Sequence, residues 1–579
     1  MQKLDAAAVL VLAIFSAILL NVSAQNSATF EENNHLSTGY YFLLTNDYRL
    51  GPGHPPLTYK LAAAPLLFSG ADFPFENDYC KNFLYYGCAQ ELLYNSGLNS
   101  QLLTFLGRLP FTALAALTGL VVYLWSKQLY GRKAGVLSLL LYSFSPAVLG
   151  WSALIMTDFS AAAFAFTSVY FLWRLMRKPN TLNLLLTGLF FGLAVSSKFT
   201  AVLFLPIYLC IAVFWFFSGK PYSFSRLKRH LPKILRNREA SFIASITIIA
   251  GIAFLVVWAV YGFDTGSYSS GAPERYTDLV YENVPAKFEN TASFLIEKMP
   301  LPFPSLFVGV SQQIFTSATG SKPSFLLGNT YEGGVWYFHI IEFLVKVPAA
   351  FIILLLLSIS MLLINRKSYQ NDTLFLLVPA LTYYAAFAVI INIGSGIQHI
   401  LPVFLFLFVF VGRTALSKKP MQWLVYGLAA WYVIASLSAF PHYISYFNEY
   451  VDDDEGYKYF LGANLDMGQD LKALSTYVKE NNLDIKLSYF GTTDPAAYLD
   501  YEYLPSPFFQ AWAPGFAHSK NDLNANYTEN CGRTEGIIAV SITNREGAFM
   551  LNSSCYDWLK EYEPTEVIGH TIFVYNITQ

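Results

Sequence analysis

Two adjacent carboxylates, Glu31 and Glu32, stand directly after the first apolar run of the chain, with His35 one helical turn on and a His-Pro-Pro-Leu turn at His54 leading to Lys60. A carboxylate in such a place can take the proton of an attacking hydroxyl as a general base. Lysine, arginine and histidine can neutralise a phosphate by charge-assisted hydrogen bonds. Glu31 or Glu32 is the candidate base. Asp158 is a further acid, and Lys60, Lys198, Arg275, Lys346 and His399 are candidates for the phosphate side. For each of these cations the plain alternative is a surface charge or a snorkelling side chain. Pro55 and Pro56 fix their own φ and restrict the residue before each, so His54, Pro55 and Pro56 read as a rigid, loop-structuring turn. Glu31, Glu32, His35 and His54 could gather round a divalent cation, but their spacing matches no compact ligand motif. No metal ligand is therefore assigned and no cofactor is required, with a divalent cation as the alternative.

The elements that must position these groups are membrane helices. The chain of 579 residues is 54% hydrophobic and 13% charged, about half the charge of a soluble domain. Its net charge of -2 gives no electrostatic footprint for a nucleic-acid partner. Apolar runs long enough to span a bilayer lie near 5–24, 102–125, 134–150, 157–173, 182–197, 200–218, 241–262, 340–364, 373–392, 399–416 and 421–440, about 11 helices. The first could instead be a cleaved signal peptide; its length favours a retained helix. With the amino terminus inside, the loops 126–133, 174–180, 219–240, 365–372 and 413–420 fall inside and carry 18 of the 37 Lys and Arg residues, as the positive-inside rule requires.

The long polar segments then lie outside: loops 25–101 and 263–339, and a region 441–579 long enough for one small domain. Residues 1–440 read as the transmembrane domain, and 441–579 as an outer α/β domain with strands in "IKLSYFG", "GIIAVSI" and "TIFVYNI". Cys80, Cys88, Cys531 and Cys555 all fall outside, suggesting Cys80–Cys88 and Cys531–Cys555 disulfides; the alternative is buried thiols. Sequons at Asn526, Asn552 and Asn576 are outside too. In "NLDMGQDL" (464–471), Asp466, Gln469 and Asp470 could touch a ligand, but a helix cap is the favoured reading.

A transporter places ionisable residues within its spans. Here they gather at the outer helix ends, including Glu342 and Lys346, which favours a reaction chamber at the outer membrane face. The stretches "EENNHLSTGYYFLLTNDYRLGPGHPPLTYKLAAAPLL", "WSALIMTD", "GLAVSSKFTAVLFLP", "FLLGNTYEGGVWYFHIIEFLVKVP" and "GSGIQHILPVFLFL", followed by "PHYISYFNEY" and "GANLDMGQDLKAL", occur in the order found in GT-C type glycosyltransferases. The chain resembles the dolichyl-phosphate-mannose–protein mannosyltransferase and aminoarabinose transferase superfamily over nearly its whole length. The resemblance implies a polytopic α-helical GT-C fold of about 11 helices with a small C-terminal α/β domain. It implies transfer of a sugar, with inversion, from a polyprenyl- or dolichyl-phosphate donor to a protein, lipid or glycan acceptor outside the cytoplasm. That places the site on the extracytoplasmic or ER-lumenal face, or outside the plasma membrane in a prokaryote. It assigns Glu31 as the base, Glu32 and Asp158 to the site, and Lys198, with Lys60 and His399, to the donor phosphate. The chain departs from the family in having Glu31 where Asp is usual, Gln398 where Arg is frequent, and Met467 where Trp is usual. The rival is a flippase or transporter of lipid-linked saccharides; a glycan-binding receptor would not need so many spans.

Overall fold

The computed structural model describes residues 3–51, 53–217, 238–266, 301–319, 324–364, 370–390, 394–452, 454–506, 531–550 and 552–578. The chain is a polytopic helical membrane protein. Among the described residues, six helices are long and apolar enough to cross a membrane: Lys3–Gln25, Ser100–Tyr130, Thr157–Arg177, Glu239–Val260, Ile397–Leu416 and Met421–Ser438. A bent pair, Phe338–Lys346 and Ala349–Ile364, makes a seventh if counted as one span. Three further apolar helices, Thr181–Val195, Phe199–Phe214 and Asp372–Ala388, are shorter. Among the described residues each apolar run read from the sequence is mainly helical, but fewer than 11 pass as full spans. The run at 134–150 is two pieces, Arg132–Ser143 and Pro146–Trp151: Pro146 lacks the N–H needed to continue the helix and Ser145 caps the new one, its hydroxyl accepting from the Val148 N–H at 3.4 Å.

Burial separates the centre of the bundle from its rim. The Thr157–Arg177 and Ile397–Leu416 spans are 83% and 89% buried over their apolar windows, against 28% for Lys3–Gln25 and 17% for Glu239–Val260, so the first two form the core. In lipid, apolar surface alone does not drive helices together, and close approach depends on small residues. Gly188 and Gly192, one turn apart, meet the 238–260 helix so closely that an added Cβ would lie 2.8 Å from Ile252 and 2.7 Å from Val256.

At the inward-read end of the bundle, Lys127 pairs with Asp5 at 2.6 Å and Arg413 donates to Tyr130 at 3.1 Å. The basic loop 219–237 and most of 365–372 lie outside the described residues. At the opposite end the first loop folds into helices, chiefly Glu32–Thr45, Pro56–Ala63 and Tyr85–Tyr94. Cys80 and Cys88 are disulfide-bonded within it. The C-terminal region forms a five-stranded mixed sheet. Its spatial order is Glu502–Tyr503, Ile485–Ser488, Gly536–Ser541, Ile572–Ile577 and Glu566–Ile568. The first three strands pair in parallel and the last two antiparallel. The helix Leu471–Asn481 packs on one face, and Cys531–Cys555 is closed on the other. Asn526 lies outside the described residues.

The helices Glu32–Thr45 and Pro56–Ala63 touch at Gly39, where an added Cβ would stand 1.9 Å from the Tyr59 carbonyl oxygen. Backbone cannot yield there without parting the two helices. Gly39→Ala is expected to destabilise the detergent-solubilised protein by about 1–3 kcal/mol. A thermal unfolding midpoint equal to wild type would show that the two helices are not held in this contact.

Candidate active site

The site is built around a buried ion pair. Arg108 projects from the Ser100–Tyr130 span and is 1% exposed; Glu32, in the first turn of its helix, is 0% exposed. All five guanidinium donors are used. Nε and Nη2 reach the two Glu32 oxygens at 2.8 and 2.5 Å, and Nη1 and Nη2 reach the carbonyls of Ser23, Asn26 and Ser27 at 2.7–2.9 Å. Glu32 also accepts from the Thr29 N–H and hydroxyl at 2.8 and 3.0 Å and from the Ile155 N–H at 2.9 Å. Burial by itself raises the Glu32 carboxyl, but the Arg108 charge and these hydrogen bonds hold it below the usual range. Both oxygens are occupied, so Glu32 positions the loop and does not reach a reacting group. Arg108 was not among the residues singled out from sequence. Its signal was a single cation inside an apolar run.

The pair fixes Ile155, and Ile155 links the two acid-bearing helices. Its N–H donates to Glu32, and its carbonyl accepts from His35 Nδ1 at 2.7 Å. Three residues on, Asp158 lies in the first turn of the Thr157–Arg177 helix, where the helix dipole favours a negative charge. Asp158 Oδ1 meets Lys198 Nζ at 2.5 Å and His399 Nδ1 at 3.2 Å, and Lys198 Nζ lies 3.3 Å from His399 Nδ1. Asp158, Lys198 and His399, distant in sequence, thus form one mostly buried cluster.

Glu31 begins the helix whose first turn holds Glu32, but faces differently: its side chain is 40% exposed, and its Oε2 lies 3.6 Å from His35 Nε2. His54 closes on this pair, with one nitrogen within 4.8 Å of the Glu31 and His35 ligand atoms. Burial first, then the Lys198 charge, pushes His54 down to about 3, while Glu31 and Asp158 act in the opposite sense. His54 is therefore neutral and within electrostatic reach of both clusters. It faces the site as well as shaping the turn. Pro55 and Pro56 occupy the N-cap and first position of the Pro56–Ala63 helix, and the Leu57 N–H donates to the Ser196 carbonyl at 3.0 Å, tying the turn to the segment that carries Lys198.

Two proposed phosphate ligands point elsewhere. Lys60 donates to the Tyr48 hydroxyl at 2.6 Å and the Val260 carbonyl at 2.9 Å, and among the described residues it makes no ion pair. Burial pushes it down to about 8. Lys346 is buried and donates to the carbonyls of Asn464 and Ile444 at 2.5 and 2.9 Å. Glu342 accepts from His339 and from the Asn464 amide, both at 2.7 Å. Asn464 in turn accepts the Ile397 N–H at 3.0 Å, so this group braces the turn that presents His399. Arg275 lies outside the described residues.

The C-terminal domain clamps the first loop. Ser27 N–H donates to the Gln469 carbonyl and Phe30 N–H to the Met467 carbonyl, at 2.9 and 3.0 Å. Thr492 and Thr493 hydroxyls donate to the carbonyls of Phe30 and Ala28 at 2.6 and 2.9 Å. The cap expected at Asp470 does not form, although Asp470 precedes the Leu471–Asn481 helix. Its oxygens are drawn instead to His442 at 3.1 Å and the Thr571 hydroxyl at 2.8 Å. Gln469 bonds within its own loop, to Met467 and Leu465. Thr492 and Thr493 carried no sequence signal, because a threonine in a polar loop looks like any other.

A family model described as dolichyl-phosphate-mannose-protein mannosyltransferase matches residues 102–235, a minority of the chain. No curated protein matches the chain in sequence. Among solved structures, the Saccharomyces cerevisiae protein O-mannosyltransferase Pmt1-Pmt2 complex bound to the sugar donor is similar at 18% identity and TM-score 0.35, over 45% of this chain and 34% of that one. This chain therefore spans about a third of that relative's length. ArnT from Cupriavidus metallidurans bound to undecaprenyl phosphate is similar at 9% identity and TM-score 0.46, over 98% of both chains. The archaeal oligosaccharyltransferase AglB from Archaeoglobus fulgidus, in complex with an inhibitory peptide and a dolichol-phosphate, is similar at 11% identity and TM-score 0.44, over 96% of this chain and 72% of that one.

Removing one partner of the Glu32–Arg108 pair leaves an uncompensated buried charge. Arg108→Ala is expected to cost about 3–5 kcal/mol in detergent unfolding; a loss below about 1 kcal/mol, the range of an exposed pair, would contradict the buried geometry. Asp466, in the clamping loop, is pushed up to about 7, by burial first and the Asp470 charge in addition. An unfolded Asp titrates at about 3.9, so its contribution to stability is full below about pH 4 and is lost as pH rises through about 7. Asp466→Asn keeps an oxygen for the Gly468 N–H, which Oδ1 accepts at 3.1 Å. The variant should raise the unfolding midpoint more at about pH 8 than at about pH 5, and equal shifts would refute the raised pKa.

Proposed function

We propose that this chain is an integral membrane glycosyltransferase of GT-C architecture. It moves one sugar from a polyprenyl- or dolichyl-phosphate to a hydroxyl of a protein, lipid or glycan acceptor on the extracytoplasmic face. The observation that carries the reading is the convergence of Glu31, His54, Asp158, Lys198 and His399 at one end of the helix bundle, with a partly exposed carboxylate next to a cluster in which Lys198 is held by Asp158 and His399. The match of residues 102–235 to the mannosyltransferase family model supports it.

The chemistry follows from where charge develops. The acceptor oxygen attacks the anomeric carbon from the face opposite the phosphate, which gives inversion. Glu31 takes the hydroxyl proton as the new C–O bond forms. The bond from the anomeric carbon to the phosphate oxygen breaks, and its electron pair leaves with the lipid phosphate. Lys198 stabilises the departing monophosphate, and Asp158 and His399 position the ammonium. Glu31 is one methylene longer than the usual Asp, but the Glu32–Arg108 anchor beside it sets where its backbone lies. Such anchoring matters because a displacement on the order of 1 Å is costly in rate.

Glu31→Gln keeps the size of the side chain and removes the base. With a panel of polyprenyl-phosphate sugars and detergent-solubilised protein, it should lower kcat by about 10²–10⁴-fold while folding as wild type. Wild-type turnover in this variant would overturn the assignment. Mass spectrometry of glycans from a deletion strain identifies the sugar and acceptor; an unchanged glycan profile there, with no transfer in vitro, would sink the transferase reading.

A further inference from the structure

We infer that Arg413 anchors a binding site for a phosphate group, carried by an anionic phospholipid, at the end of the helix bundle opposite the candidate active site. The inference needs the chain to be a membrane protein but does not rest on the transferase reading, so the two fail separately. Tyr130, which touches Arg413, lies about 33 Å from Arg108 along the Ser100–Tyr130 helix at ~1.5 Å per residue. That is roughly the thickness of a hydrocarbon core, so Arg413 stands at the other membrane boundary.

Two guanidinium groups are buried within the spans, and they are satisfied differently. Arg108 has every donor engaged and a carboxylate as counterion. Arg413, in the Ile397–Leu416 span, is 3% exposed. Its Nη2 donates to the hydroxyls of Tyr130 and Thr373 at 3.1 and 3.0 Å, and both partners are neutral. The guanidinium lies 4.2 Å from the Phe410 ring centre and 5.5 Å from that of Tyr130. Among the described residues Arg413 makes no ion pair. Its Nε is buried without a partner. Nη1 makes no hydrogen bond among the described residues either, but is not sealed from the surface. Aromatic faces ease the burial of a cation, yet they do not neutralise it. A buried charge with no counterion is unfavourable, and an anion from outside the chain supplies one.

The acids at this end are already taken. Asp372, next to Thr373, accepts from the Trp173 indole N–H at 2.8 Å and lies 3.8 Å from Arg177 Nε. Asp5 is paired with Lys127 at 2.6 Å. Further cations stand around the same helix ends: Arg174 and Arg177 close the Thr157–Arg177 helix, and Lys418 and Lys419, both exposed, follow Arg413. A guanidinium meets phosphate oxygens by strong charge-assisted hydrogen bonds, and Nη1 is the donor left to make them. Basic sites between membrane helices take anionic headgroups in this way. The rim is apolar: Leu416, Met421 and Trp423 are exposed, and tryptophan favours the headgroup level of a bilayer. Such a rim selects a phosphate carried on acyl chains over a free ion.

The test uses full-length protein, delipidated in detergent and placed in nanodiscs of phosphatidylcholine alone or of equal parts phosphatidylcholine and phosphatidylglycerol. The phosphatidylglycerol discs should raise the unfolding midpoint, and native mass spectrometry should find phosphatidylglycerol retained on the protein. Arg413→Gln should weaken that retention by about 10-fold or more and abolish the rise. It should still fold in phosphatidylcholine, because it leaves no acid unpaired. If it does not fold, Thr373→Val decides: it keeps the side-chain shape, removes a hydroxyl that holds the guanidinium, and should weaken retention in the same direction. Lys418→Gln combined with Lys419→Gln removes exposed charge only, and retention should survive it. Inorganic phosphate titrated into phosphatidylcholine discs is the second arm. Arg413-dependent stabilisation by phosphate with no lipid retained would keep the anion site and overturn the lipid as its source. Equal retention by wild type, Arg413→Gln and Thr373→Val, or retention lost only in the double lysine variant, would overturn the site.

Discussion

The arrangement at the site end of the bundle depends on the pair between Glu32 and Arg108. Two full charges sit where solvent does not reach, and such a pair is tolerated only when every donor and acceptor is engaged. Here Arg108 spends its donors on Glu32 and on three carbonyls at the end of the first helix, and Glu32 accepts from Arg108, Thr29 and Ile155. One guanidinium therefore fixes the exit of the first span, the start of the next helix and the turn before Asp158. Neighbouring acids have opposite fates as a result. Glu32 is locked, and Glu31, one residue earlier at the helix boundary, is left to face the site.

The C-terminal domain completes this frame. The loop 464–470 offers its main-chain carbonyls to Ser27 and Phe30, and Thr492 and Thr493 donate to the same segment. These bonds link residues more than 400 positions apart. They satisfy backbone groups that would otherwise be buried without partners, a substantial cost. The domain is thus part of the site's support, through the segment immediately before Glu31.

Charge is distributed over two neighbouring clusters. Asp158, Lys198 and His399 form one, and Glu31, His35 and His54 the other, with neutral His54 sensing both. In the first, Lys198 is paired with its own carboxylate, Asp158; in the second, Glu31 sits with two imidazoles.

Much was legible in the sequence because it depends on local pattern. Apolar runs gave the helices, alternating strands the C-terminal sheet, and the cysteines of the two polar segments the Cys80–Cys88 and Cys531–Cys555 pairs found in the structure. The acids and Lys198 stood out as charges at the ends of apolar runs. The division of labour among them did not. Which of Glu31 and Glu32 is locked in a buried ion pair depends on Arg108, 76 residues from Glu32. That Lys60 and Lys346 are consumed by carbonyls depends on Val260, Ile444 and Asn464. A side chain's type and its place along a helix determine what it can do. What it does is set by which partners reach it through space, and those arrive from helices and loops that only the packed chain brings together.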